Sequence, residues 1–154
     1  MSKGFVAAEQ GHVVQMLASQ SFAAAGTSDT ILMENWAHAS IICEFGAGSG
    51  TTISVGECTS FAGSDRTAVT FRFAQEATAN GDVLDAALAW ASTVTIGAGT
   101  AAFAVIEIDG DELTDGYPYL QVNIADPGTA KLASVIAVLS GGRYQEDITA
   151  TVIA

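Results

Sequence analysis

Residues Ser28–Glu57 read SDTILMENWAHASIICEFGAGSGTTISVGE. Three strand-like runs lie in this stretch, and the last two are joined by the glycine-rich segment Gly46–Gly50. Within the middle run Ile41, Cys43 and Phe45 oppose Ile42 and Glu44. That period of two is the mark of a strand with one buried face. Apolar residues go to strands and polar ones to turns, with no catalytic constellation between them. The pattern predicts a chain built as a shape, and points toward assembly rather than chemistry.

The same alternation recurs along the chain. Leu120, Val122 and Ile124 oppose Gln121 and Asn123, and Val69, Phe71 and Phe73 oppose Thr70 and Arg72. Further strands are predicted at His12–Leu17, Thr30–Glu34, Thr51–Cys58, Ser92–Ile96, Ala102–Ile108 and Leu132–Leu139. Leu132–Leu139 is apolar on both faces, as expected of a central strand or one covered by a partner. Turn signals separate the runs: Asn80-Gly81, Gly97-Ala-Gly99, Asp109-Gly110, Asp115-Gly116, Asp126-Pro-Gly128 and Gly141-Gly142. Many short strands at this spacing predict an all-β, antiparallel β-sandwich, jelly-roll-like, with Gly-rich turns. Asp82–Trp90, rich in Ala and Leu, is compatible with one short helix, and Ala7–Ser19 reads equally as helix or strand.

A length of 154 residues suggests one domain spanning 1–154. Residues 1–20 read as an N-terminal arm and 148–154 as a C-terminal arm. Charged residues are only 14% of the chain, against about 25% in a typical soluble domain. Such a surface is either rich in Ser, Thr, Ala and Gly or partly covered by other subunits. The net charge is −12, with Lys3, Arg66, Arg72, Lys131 and Arg143 the only fixed cations. Phosphate backbones and anionic membranes are attracted by Lys and Arg, so no nucleic-acid or membrane partner is expected. No signal peptide is visible near the start, and no apolar run approaches the roughly 20 residues that span a bilayer. Synthesis in a cytoplasm is the expectation.

If Gly46–Gly50 closes a hairpin, Cys43 faces Ile53 and Cys58 faces His38. The cysteines then lie about five residues apart along the ladder, roughly 16 Å. A disulfide needs Cα atoms within about 7 Å, so two free thiols are predicted.

The chemical candidates are weak. A Cys58–His38 pair would suit a nucleophile and base, or half a metal site, yet the chain has only one other Cys and one other His. The acidic run Glu107–Asp115 fails the calcium-loop pattern, since Leu113 stands where an oxygen ligand belongs. Glu34, Glu44, Glu57, Asp65 and Glu76 have nothing to fix two of them at a glycosidase spacing. Trp36, Trp90, Tyr117 and Tyr119 could stack on a sugar, although scattered aromatics more often serve a core or an interface. Phosphate-loop, nucleophile-elbow and zinc-protease motifs are absent. No enzyme activity, cofactor or metal is expected.

Several segments carry a resemblance. They are Gly11–Leu17, Ser28–Ile31, Ala37–Ile42, Thr52–Cys58, Asp111–Leu113, Gly116–Val122 and Val135–Tyr144. In them the chain resembles the small β-sandwich structural proteins of tailed-bacteriophage head gene clusters, the capsid decoration or cement proteins. The resemblance implies a virion protein that decorates and stabilises the capsid surface. Its implied partners are the major capsid protein and further copies of itself, most simply in a homotrimer. The expected contact segments are Met1–Gln20, Leu132–Leu139 and Ile148–Ala154. Within and beside them Phe5, His12, Val14, Met16, Trp36, Tyr117, Tyr119, Val138, Tyr144, Ile148, Val152 and Ile153 are the candidate interaction residues. The rival readings are a head-fibre base or tail component, a carbohydrate-binding module using Trp36, Trp90 and Tyr119, and a hydrolase using Cys58 and His38.

Overall fold

In a computed structural model of the chain, residues 6–76, 78, 81–84, 88–99 and 102–142 are described. A single helical turn, α1 (Ala7–Gln10), leads into eleven strands. These are β1 (Gly11–Phe22), β2 (Gly26–Leu32), β3 (Trp36–Phe45), β4 (Thr51–Cys58), β5 (Thr67–Ala68), β6 (Phe71–Glu76), β7 (Ala89–Ala91), β8 (Val94–Ile96), β9 (Ala102–Asp109), β10 (Tyr119–Ile124) and β11 (Lys131–Gly142). Among the described residues no helix is long and apolar enough to cross a membrane.

The strands form two antiparallel sheets. One runs β1-β11-β3-β9-β6-β7, the other β2-β10-β4-β5, with β8 also paired to β4. The logic is a folded ribbon in which early strands pair with late ones: β1 with β11, β2 with β10, β3 with β9 and β4 with β8. Successive rungs alternate between sheets, and β11 also joins β3 while β10 joins β4. This double wrapping is the jelly roll. Strands β5, β6 and β7 are inserted between β4 and β8, the two strands of its fourth rung, and β6 and β7 widen the first sheet beyond β9.

The core fills the space between the sheets. Alternate residues of β3 (Ala39, Ile41, Cys43, Phe45), β9 (Ala102, Ala104, Ile106, Ile108) and β11 (Ala133, Val135, Ala137, Leu139) face Ile31, Ile53, Val55, Leu120, Val122 and Ile124 across it. The small Ala and Cys positions sit among the large ones, so the layers interdigitate. One buried polar group shows how a defect in pairing is absorbed. The β2–β10 register slips between Gln121 and Asn123. At the bulge the Ser28 hydroxyl accepts the Val122 N–H at 3.0 Å, and the Gln121 side chain donates to the Ser28 carbonyl at 3.1 Å. A side chain thus replaces the lost ladder bond.

Several expectations change. Gly46–Gly50 is not a hairpin, because β3 and β4 belong to different sheets. The segment crosses between layers, and Gly99 N–H donates to the Gly48 carbonyl at 2.7 Å. A Cβ on Gly48 would meet the Ala130 carbonyl at 3.1 Å. Cys58 therefore faces Tyr119, and His38 faces Asp109 and Ser140. Both cysteines are nonetheless free and buried. Of the Val69–Phe73 run only Phe71–Phe73 is strand, the start of β6 in the first sheet, while Val69 N–H still donates to Val55 of β4 in the other. Within Asp82–Trp90 the described residues hold no helix, and Ala89–Ala91 is strand β7. Ala7–Ser19 is one helical turn followed by strand. Residues 11–20, read as arm, lie in β1, an edge strand of the first sheet. The C-terminal arm, 148–154, lies outside the described residues.

Two outcomes follow. Ile106→Ala, at a wholly buried site, lowers unfolding free energy by about 2–5 kcal/mol in urea titration, whereas Thr95→Ala, at an exposed position of β8, shifts it by about 0.5 kcal/mol or less. Burial pushes the Cys43 thiol up to about 12, and burial with the nearby Asp65 charge raises Cys58 as well. A thiol reagent should leave the folded protein unmodified and label both cysteines once urea unfolds it.

Candidate functional site

The outer face of the six-stranded sheet can be mapped from the register. Directly paired residues point to the same side of a sheet, so one row crosses it as Val13, Val138, Ser40, Glu107, Arg72 and Trp90. The next row is Gln15, Ile136, Ile42, Val105 and Ala74. On the other flank Ser140, His38 and Asp109 form a short row. The face has an apolar side, on β1 and β11, and a charged side, on β3, β9 and β6.

The charged side is a hydrogen-bonded network in which Arg72 Nε is the one buried side-chain polar atom without a partner among the described residues. His38 Nδ1 lies 2.6 Å from Asp109 Oδ1 and His38 Nε2 lies 2.7 Å from Glu107 Oε2. The Ser40 hydroxyl donates to Glu107 at 2.7 Å, and Arg72 donates to the other oxygen of Asp109. The Arg72 guanidinium also lies over the Trp90 ring, 5.7 Å from its centre. Two carboxylates facing both ring nitrogens suit a doubly protonated imidazolium. Partial burial alone would lower the His38 pKa, but the hydrogen bonds and charges of Asp109 and Glu107 outweigh it and raise the value. With Arg72 included, two cations balance two carboxylates. The cluster is thus neutral on a protein of strongly negative charge.

Other acids are committed to backbone N–H groups. Glu76 accepts from Thr78 at 2.6 Å and Val83 at 3.1 Å, which ties both residues to the end of β6. Glu57 accepts from Thr114 at 2.8 Å, Glu112 from Asp109 at 2.9 Å, and Asp65 from Thr59 at 3.1 Å. Hydrogen bonds to the ionised form hold the Glu76 and Asp65 carboxyls below their ordinary range. These acids staple loops. An open cleft of about 470 Å³ at one end of the sandwich is bordered by Met33, Glu34, Leu113, Asp115 and Tyr117. Among the described residues no group of His, Cys, Asp and Glu is arranged to hold a metal ion.

The residues singled out from sequence fall in different places. Val14, Met16 and Trp36 are buried, so they serve the core and are not surface contacts. His12 stacks on Trp36, with ring centres 5.7 Å apart and planes 10° from parallel. Val138 lies on the outer face, Tyr117 at the cleft, and Tyr119 edge-on to Phe61 at 6.5 Å. Phe5, Tyr144, Ile148, Val152 and Ile153 lie outside the described residues. Trp36, Trp90 and Tyr119 form no common platform for a sugar, since Trp36 is buried and Trp90 and Tyr119 stand on different sheets. Cys58 and His38 are likewise on different sheets, which removes the nucleophile–base pairing. Sequence reading missed the Glu107–His38–Asp109–Arg72 network. The alternation of Glu107 and Asp109 on one face of a strand was its only local signal.

No protein-family model matches the chain, and no curated protein matches it. Among solved structures it is similar to the crystal structure of SPBc2 prophage-derived protein YomS. The identity is 8% and the TM-score 0.50, over 83% of this chain and 92% of that one. At that identity the likeness is one of fold.

The network makes stability depend on pH. Below the ordinary histidine value of 6.5 the ring is charged in both folded and unfolded chains, and its ion pairs contribute fully. As pH rises through the higher folded value the proton leaves and that contribution is lost. The melting-temperature gap between wild type and His38→Asn should therefore be widest near pH 5–6 and narrow above about pH 6.5. A gap that stays constant across this range would refute the doubly protonated ring.

Proposed function

We propose that this chain is a structural protein of a tailed-phage virion that decorates the outer surface of the capsid shell as a homotrimer. The observation that carries the reading is the outer face of the six-stranded sheet. The Glu107–His38–Asp109–Arg72 cluster on it is internally neutralised, and large apolar side chains stand exposed at both edges of the sheet. Such a surface suits contact with other protein, where charged residues are depleted and aromatics and Arg enriched. The sequence resemblance to decoration proteins supports it, as does a jelly-roll fold shared with a prophage-derived protein. The role is non-catalytic and requires no cofactor or metal. Its partners are the major capsid protein and sister copies, and neither nucleic acid nor membrane takes part. After synthesis in the host cytoplasm the protein resides on the virion.

The mechanism is linkage. A protein that binds only the assembled, expanded shell stabilises that state, by about 2.7 kcal/mol per site when free protein is about 100-fold above Kd. The acidic remainder of the surface keeps decorated particles soluble and apart.

Co-sedimentation with expanded and unexpanded shells tests the role. Saturable binding to expanded shells, with a rise in their disruption temperature, is expected. Absence from shells, with binding to purified tails or head fibres instead, would replace decoration by another virion role.

A further inference from the structure

Two apolar patches stand at opposite edges of the same sheet. On the β1 side Val13 and Leu132 are each 53% exposed and Ile136 is 38% exposed. On the β7 side Trp90 is 61% exposed, Val83 72% and Leu88 46%. These positions belong to the jelly-roll rung on one side and to the inserted strands on the other, so the two patches are unlike in shape. One is a shallow aliphatic sheet surface. The other is a projecting tryptophan on β7, braced by Arg72 of β6.

We infer that copies of this chain associate head to tail, the Trp90 edge of one against the Val13 edge of the next. The inference rests on the assembly reading above and names its contact. Three features carry it. Patches that differ from each other suit a heterologous contact, which gives a ring where its rotation closes, whereas a twofold contact needs one self-complementary patch. The row that starts at Val13 ends at Trp90, and six strands alternating in direction leave β7 antiparallel to β1. Apposing the two edges therefore continues the row and sets Trp90 beside Val13 of the neighbouring copy, an aromatic against a β-branched residue. The third feature is charge. At −12, identical chains repel, and close approach is favoured where local charge is balanced. The row from Val13 to Trp90 meets that condition, since Glu107 and its neighbour Asp109 are balanced by His38 and Arg72. Tryptophan and arginine are also both enriched among interface anchors.

The test is native mass by light scattering on the full chain, with Trp90→Glu and Val13→Glu made separately. Wild type is expected as a closed trimer and each variant as a monomer. Mixed in equal amounts, the two variants should form a heterodimer and stop there. Each supplies the patch the other has lost, and the remaining two patches are both spoiled. Circular dichroism checks the fold, and Leu88→Glu and Leu132→Glu stand in if either first variant unfolds. A monomeric wild type, variants that keep the wild-type mass, or a mixture that stays monomeric each overturns the head-to-tail contact. Shell co-sedimentation of wild type decides the virion role separately, so a head-to-tail trimer that ignores shells would keep this inference and reject decoration.

Discussion

Strand β11 hydrogen-bonds on both sides, to β1 and to β3, while its alternate side chains Ala133, Val135, Ala137 and Leu139 fill the core. Three strands drawn from the two ends of the described chain are thereby locked in one plane. The pairing satisfies the backbone groups of an otherwise open edge. It also fixes which face of β1 and β3 looks inward, because a slip by one residue would turn every side chain to the wrong side. The outer rows, and with them the neutral charge cluster, inherit their alignment from this constraint.

Charge is handled in two ways on this molecule. On the outer face of the first sheet, acids meet His38 and Arg72. Elsewhere there are few cations to meet, and acids take backbone N–H groups of loops instead, from strand ends as Glu57 and Glu76 do or from within loops as Asp65 and Glu112 do. A low number of Lys and Arg therefore does not leave every carboxylate unsupported. It does leave the surface acidic wherever loops dominate.

The sequence carried the strands well, since Thr51–Cys58 and Tyr119–Ile124 are found with the boundaries their alternation implies. The jelly roll too was legible as many short strands between glycine turns. Connectivity was not. Alternation reports which residues share a face and is silent on whether the next strand lies beside the last or in the opposite layer. For that reason Gly46–Gly50 reads as a hairpin and Val69–Phe73 as one strand, although each changes sheets. The His38 network was hidden for the same cause, as its members come from β3, β6 and β9. Val14 and Met16 look like contact residues when residues 1–20 are read as an arm, and become core once β1 joins the sheet; Trp36, read as an interface aromatic, is buried at the start of β3. Trp90 was visible as an aromatic, but its exposure depends on the insertion that carries it to the sheet edge.

The nesting of early strands against late ones has a consequence for biogenesis. On the ribosome, β1, β2 and β3 emerge long before β11, β10 and β9, so during most of translation they have apolar faces and no partners. Local contacts cannot rescue them, because each rung of the ribbon spans the centre of the chain and loop closure must precede any gain. The nascent chain is thus exposed to aggregation until its last strands leave the exit tunnel. Folding speed, rather than final stability, then limits the yield of soluble protein, and slower growth temperatures or a holding chaperone would raise it more than any core substitution.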